Sequence, residues 1–207
     1  MTKTCTFILV LLLQTAFGLK AQIPIVDDTI YKPGIYRSFA EFKNNSPSID
    51  LTYTIDSVRR GFGFLRLSGK VTFYKLVVDA NSRESIGKVF GFCDGKHIYI
   101  NELNHKLKSS TEFNKLEYVG AYCYYEDLLC TSLFNGRSTI NSCYRNSKMI
   151  DVNTGEVIYL SKSTFRDLIS DNTELLTEYN NERKKKTKYK AYLIRYLEQT
   201  ESDSDAR

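Results

Sequence analysis

Residues 149–160, Met149-Ile150-Asp151-Val152-Asn153-Thr154-Gly155-Glu156-Val157-Ile158-Tyr159-Leu160, carry the clearest two-stranded signal in the chain. Two β-prone runs flank Asn153-Thr154-Gly155, and a three-residue loop with glycine in the left-handed position joins neighbouring antiparallel strands. Asp151-x-Asn153-x-Gly155 also resembles the opening of a calcium loop. That pattern needs glycine at its sixth position and glutamate at its twelfth, whereas Gly155 is fifth and Lys162 is twelfth. The stretch therefore reads as a hairpin turn.

Upstream, between Ile49 and Leu160, short runs rich in Tyr, Phe, Val, Ile and Thr alternate with turn residues. They include Leu51 to Ile55, Phe62 to Leu67, Val71 to Val78 and Leu116 to Tyr125. Ser68-Gly69 separates two runs closely enough for a hairpin, and Asp79 to Ser82 is another turn candidate. In Cys93-Asp94-Gly95-Lys96-His97, Asp94-Gly95 suits the positive φ angles of a type I′ turn between strands at Val89 to Cys93 and His97 to Asn101. Parallel pairing would demand crossovers of about a dozen residues or more, and this stretch offers few. The expectation is an antiparallel sheet of roughly seven to nine strands.

Helical signals bracket the sheet. Ser38-Phe39-Ala40-Glu41 has the capping-box form, with Phe39 and Phe42 on one side of a short helix that Asn44-Asn45-Ser46-Pro47 ends. After Leu160 the apolar period changes from two to about 3.6. Ser161 or Ser163 can cap a first helix, and Asp171-Asn172-Thr173-Glu174 repeats the capping logic. Leu175, Leu176 and Tyr179 begin an apolar stripe that Tyr189, Tyr192, Leu193, Tyr196 and Leu197 resume. The fold class is α+β: a single domain over residues 34–199, an extended lead-in at 22–33 containing Pro24 and Pro33, and a disordered polar tail at 200–207.

The beginning of the chain sets the compartment. Residues 1–21 read as a signal peptide: Lys3 is the basic start, Phe7 to Leu13 the apolar segment, and small residues favour cleavage at Ala21/Gln22 or after Gly18. A membrane span needs about 20 apolar residues, and Gln14, Thr15, Gly18 and Lys20 interrupt this one. The protein is expected to be exported, periplasmic or secreted, with no transmembrane helix in its mature form. Cleavage removes Lys3 and Lys20 and no acid, leaving 27 basic against 24 acidic side chains.

Cleavage also removes Cys5 and leaves Cys93, Cys123, Cys130 and Cys143, an even number that suggests disulfides in an oxidising compartment. Three connectivities are open. The preferred one joins Cys93 to Cys123 and Cys130 to Cys143, the latter closing a loop around Asn135-Gly136. Cys93 also precedes His97 by four positions, which makes a thiol nucleophile one alternative and carboxylate chemistry by Asp94 and Glu126 another. A nucleophile needs the imidazole within hydrogen-bond reach and a third group to orient it, and spacing along the chain supplies neither. No C-x-x-C occurs, and His97 and His105 are the two histidines, so neither a metal nor another cofactor is expected.

Arg183 to Lys190 (RKKKTKYK) is the strongest charge run and a candidate contact for anionic surfaces through Lys184, Lys185, Lys186, Lys188 and Lys190. Its simpler reading is a solvated helix face supported by Glu182 and Lys186. Nucleic acid is not an expected partner. Fifteen tyrosines and twelve phenylalanines without tryptophan raise stacking on sugars, but strand aromatics ordinarily fill cores and cross-strand pairs. Alternation sets Tyr122 and Tyr124 on one face and Cys123 and Tyr125 on the other.

Several of these landmarks resemble a family of uncharacterised secreted proteins of Bacteroidetes-type bacteria. The matching residues are Gly34-Ile35-Tyr36-x-Ser38-Phe39-x-Glu41-Phe42 with Asn45-x-Pro47-Ser48, and Gly91-Phe92-Cys93-Asp94-Gly95-Lys96 leading into Ile98-Tyr99-Ile100-Asn101. Tyr122-Cys123-Tyr124-Tyr125 and the Gly155 turn complete a pattern that covers Pro33 to Gln199, with Phe90 where similar sequences carry tryptophan. The resemblance implies export and a single domain and carries over no catalytic or ligand residue. The role expected is a non-enzymatic exported binding or envelope-associated protein. The alternatives are a small secreted enzyme and a protein that associates with anionic surfaces.

Overall fold

Every pairing between the described strands is antiparallel. The computed structural model describes residues 31–50, 53–62, 68–78, 86–101, 111–134, 139–183 and 188–205. The expected leader, most of the lead-in, the Asp79 to Ser82 and Asn135-Gly136 turns, His105 and Lys184 to Lys186 lie outside them. Among the described residues nine strands form one sheet: β1 Gly34–Tyr36, β2 Thr54–Phe62, β3 Gly69–Val77, β4 Gly91–Cys93, β5 Ile98–Ile100, β6 Glu112–Tyr118, β7 Tyr122–Phe134, β8 Thr139–Asp151 and β9 Val157–Tyr159. The main order is β1-β4-β5-β6-β7-β8-β9. The β2–β3 hairpin joins through Tyr74↔Phe113 and Lys75↔Glu112 of β6. The helices are α1 Phe39–Lys43, α2 Lys162–Leu168, α3 Thr173–Asn181 and α4 Tyr189–Asp205.

Alternation along β7 explains the layering. Cys123 and Tyr125 enter a core with Tyr31, Tyr36, Phe42 and Val152, while Tyr124 joins Phe165, Tyr179, Tyr192 and Leu193 on the other side. Both faces of the Tyr122 to Tyr125 stretch are thus covered, one by α1 and its flanks, the other by α2 to α4. A third cluster joins Ile35, Phe92, Tyr99 and Phe113, with Tyr53, Ile55, Tyr74 and Leu76 of the β2–β3 region packed against it.

Local chemistry fixes the helix ends. Ser38 caps α1 by accepting from the Glu41 amide at 3.2 Å, and Glu41 reaches back to the Arg37 amide at 2.7 Å. Ser161 caps α2, as expected. The cap of α3 falls one residue later than the sequence suggested: Asn172 accepts from the Leu175 amide, and Asp171 instead accepts from the Tyr196 hydroxyl.

Several boundaries also differ from expectation. β2 runs on through Asp56 to Gly61, beyond the expected run that ends at Ile55, because β3 pairs with it continuously from Thr54↔Val77 to Phe62↔Gly69, and Gly63 to Leu67 of the next expected run lie outside the described residues. The loop at 152–155 has four residues, closed by the Gly155 amide on the Asp151 carbonyl at 2.7 Å and by the Asp151 amide on Glu156. Glu182 is an extended cap after α3, and α4 begins at Tyr189. Residues 184–187 of the basic run lie outside the described residues, and of the rest Tyr189 and Lys190 lie in α4. α4 continues to Asp205, past Gln199, so the first residues assigned to the tail extend its polar end.

Candidate functional site

The Cys93 to His97 turn comes first, because it held the strongest catalytic candidate. Cys93 pairs with Ile98, and its side chain enters the core with Ile98, Ile100 and Tyr125. Alternation turns His97 and Tyr99 to the other face, where their rings meet and Tyr99 stacks on Phe92. The Cys93 thiol donates to the Tyr31 carbonyl at 3.5 Å, and the Gly95 amide approaches its sulfur at 3.4 Å. The sheet thus stands between thiol and imidazole, and the two do not form a dyad.

Asp94 works as a turn residue. Its carboxylate accepts from the amides of Lys96 at 2.8 Å and His97 at 2.6 Å and from the Tyr99 hydroxyl at 3.1 Å. His97 Nδ1 lies 3.5 Å from the second oxygen. Burial alone would raise this carboxyl, but the two amides, the hydroxyl and His97 together hold it below its ordinary value. Gly95 takes φ +89° while Asp94 keeps a negative φ, so the side-chain bonds of Asp94 replace the type I′ geometry expected of Asp94-Gly95.

The cysteines divide into two kinds. Cys130 and Cys143 oppose each other in the β7–β8 register and form a disulfide, as expected. Cys93 and Cys123 are buried thiols, and the bond expected between them is not made. β5 and β6 separate β4 from β7, a distance of three strand spacings or roughly 14 Å, whereas a disulfide needs α-carbons about 4 to 7 Å apart. Burial pushes the Cys123 thiol up to about 12, and a backbone hydrogen bond at Gly120 opposes the shift less strongly.

Asp94 and Glu126 are not brought together either. Glu126 lies on the face of β7 shared with Tyr124, where Arg145 stands 3.4 Å from one carboxylate oxygen and the Tyr124 hydroxyl also approaches. Tyr124 shares a hydrogen bond with Ser147 at 3.1 Å. Burial pushes Glu126 above its ordinary value; Arg145 opposes the shift and Glu117 adds to it. Lys190, from the basic run, binds Glu117 at 3.2 Å. Sequence reasoning missed Glu117, Tyr124, Arg145 and Ser147, because they converge from three strands with no common spacing.

Among the described residues, an open surface lies on the far half of the β7–β8 hairpin. Its strands pair without interruption from Tyr122↔Asp151 to Phe134↔Thr139, but β9 covers only Lys148 to Ile150. On the other face of this arm, Arg145 lies over the Phe62 ring of β2. On the face continuous with Tyr125, Leu129 and Tyr144 are directly opposed and 53% and 56% exposed. Asp127 and Asn146 form the adjoining polar row. Beyond it Tyr159, 42% exposed, covers the ammonium of Lys148, which lies 4.9 Å from its ring centroid and 2.6 Å from Asp127. The cross-strand disulfide sits beside Leu129 and Tyr144 and ties the two strands together.

Among the described residues, no group of three or more His, Cys, Asp or Glu side chains is placed to hold a metal ion. None of their helices is long and apolar enough to cross a membrane. The fold and this open face define an antiparallel α+β protein built around a stapled hairpin. The chain belongs to DUF6563, a family of unknown function, whose profile matches residues 34–204. No match was found among curated proteins or among solved structures.

Proposed function

We propose that the chain is an exported, non-enzymatic binding protein of the cell envelope, of the kind found in Bacteroidetes-type bacteria, and that it meets its partner through the outer face of the β7–β8 arm. The observation that carries this reading is the opposed pair Leu129 and Tyr144, more than half exposed on a hairpin that a disulfide ties together. Large apolar side chains set side by side on an exposed strand face mark contact surfaces. A disulfide fits a compartment outside the cytoplasm, and the leader-like residues 1–21 supply a route there. The placement of Cys93 in the core, away from the His97 ring that meets Tyr99, supports the non-enzymatic reading.

Expression of the full chain with its leader, followed by cell fractionation and N-terminal sequencing, tests export. Recovery outside the cytoplasm with Gln22 or Leu19 first supports it, and cytoplasmic chain starting at Met1 or Thr2 refutes it. Co-sedimentation of the mature protein with isolated envelopes tests binding. Tyr144→Ala should abolish it, and equal sedimentation of wild type and variant would overturn the assigned face.

A further inference from the structure

We infer that the outer face of the β7–β8 arm binds a neutral oligosaccharide chain. This rests on the reading of that face as the contact surface and names the chemistry of its ligand. Sugars present apolar C–H faces that alternate with hydroxyl rims, and a surface that matches them offers aromatic rings separated by hydrogen-bonding groups. The arm has that order. Tyr144 stands beside Leu129 at one end, Asp127 and Asn146 form the polar row in the middle, and Tyr159 stands beside Lys148 at the other end. Both tyrosine rings are substantially exposed, and tyrosine combines an apolar ring with a polar tip.

The spacing indicates a chain of sugars rather than a single one. Tyr144 and Tyr159 are separated by four positions along β8 and one strand across, roughly 14 Å between backbones. The face runs along paired extended strands, which suits an extended polymer. Its charge points to a neutral glycan: Asp127 and Lys148 pair at 2.6 Å and cancel, and Lys190 of the basic run is bound to Glu117. A protein partner fits less well, because charged groups are depleted from the centres of protein interfaces, and here the middle row holds Asp127, ion-paired to Lys148 at the Tyr159 end.

The test is native affinity electrophoresis of the mature protein in gels containing soluble β-glucan, α-mannan, xylan or dextran, with alginate as an acidic control. At least one neutral polysaccharide should retard the protein. Tyr144→Ala and Tyr159→Ala should each weaken binding about ten-fold or more, as expected for loss of an aromatic anchor. Tyr144→Phe, which keeps the ring, should bind within about three-fold of wild type by the same criterion. Raising the salt to about 1 M should leave the retardation unchanged, since no net charge is used. Retardation by alginate alone, or binding indifferent to both alanine substitutions, overturns the inference. Absence of retardation in every gel also overturns it. If Tyr144→Ala still abolishes envelope co-sedimentation in that last case, the contact face stands with a different ligand; if it does not, both readings fall.

Discussion

Gly155 lies against the ring of Phe39: a β-carbon at 155 would fall 2.8 Å from Phe39 Cδ1. The contact joins the capping-box helix near the start of the domain to the last hairpin turn, and Lys43 reinforces it by donating to the Asn153 carbonyl at 2.7 Å. Gly155 also takes φ +77°. Gly155→Ala therefore meets a strained backbone and a clash together, and should cost about 2 to 4 kcal/mol. Urea denaturation of the mature protein checks this; a loss under about 0.5 kcal/mol would show that α1 does not rest on the turn.

The cysteine arrangement predicts a thiol count. Denatured, unreduced mature protein should titrate two thiols, and peptide mapping should find Cys130 linked to Cys143. In the native protein Cys123 should resist alkylation, because it is buried and its thiol is pushed up to about 12. Replacing Cys130 and Cys143 together by alanine should cost about 2 to 3 kcal/mol, the usual effect of a short cross-linked loop. No titratable thiol, or rapid native labelling of Cys123, would contradict this arrangement.

Asp94 gives a pH dependence whose sign is set. Its carboxyl is lower in the folded protein than in the unfolded chain, so folding favours the ionised form. The stability it contributes is complete above the unfolded value of about 3.9 and is lost as pH falls through the lower folded value. Asp94→Asn should therefore be less stable than wild type at neutral pH, with the gap closing in acid. Thermal melts of both proteins across that range measure it, and a gap that widens in acid would reverse the assignment.

Glu126 should behave in the opposite way. Burial and Glu117 outweigh Arg145 and raise its carboxyl, so the folded state favours the protonated form. The stability linked to this preference is present below the unfolded value and lost as pH rises through the folded one. Glu126→Gln should gain on wild type as pH rises from acid to neutral, measured by the same melts. A carboxylate recruited for acid catalysis would show the same shift, so the variant should also be assayed on the polysaccharides named above; hydrolysis lost in Glu126→Gln would favour the enzyme alternative.

Much of the fold is legible in the sequence because it is written locally. Ser38 and Glu41 announce α1, Gly155 announces the last turn, and alternation separates Tyr124 from Tyr125. What local pattern cannot give is the identity of the layer on each face. Tyr122 and Tyr124 look the same on paper whether helices or water lie above them, and only the return of α2 to α4 covers them. The Cys93–Cys123 expectation fails for a related reason: both cysteines lie in strands, but the order of strands, not their sequence spacing, sets the distance. The Lys190–Glu117 contact and the Tyr144, Asp127 and Tyr159 face likewise depend on register between separate elements. Leu129 and Tyr144 gave no signal as a site because apolar strand residues ordinarily indicate core.

The central claim, that the outer face of the arm is the contact surface, is tested most directly by iodination of the mature protein with and without isolated envelopes. Tyr144 and Tyr159 are exposed in the protein alone and should be labelled. Envelopes should protect both, while leaving the melting temperature of the recovered protein unchanged. Equal labelling of Tyr144 and Tyr159 in the presence and absence of envelopes would contradict the account.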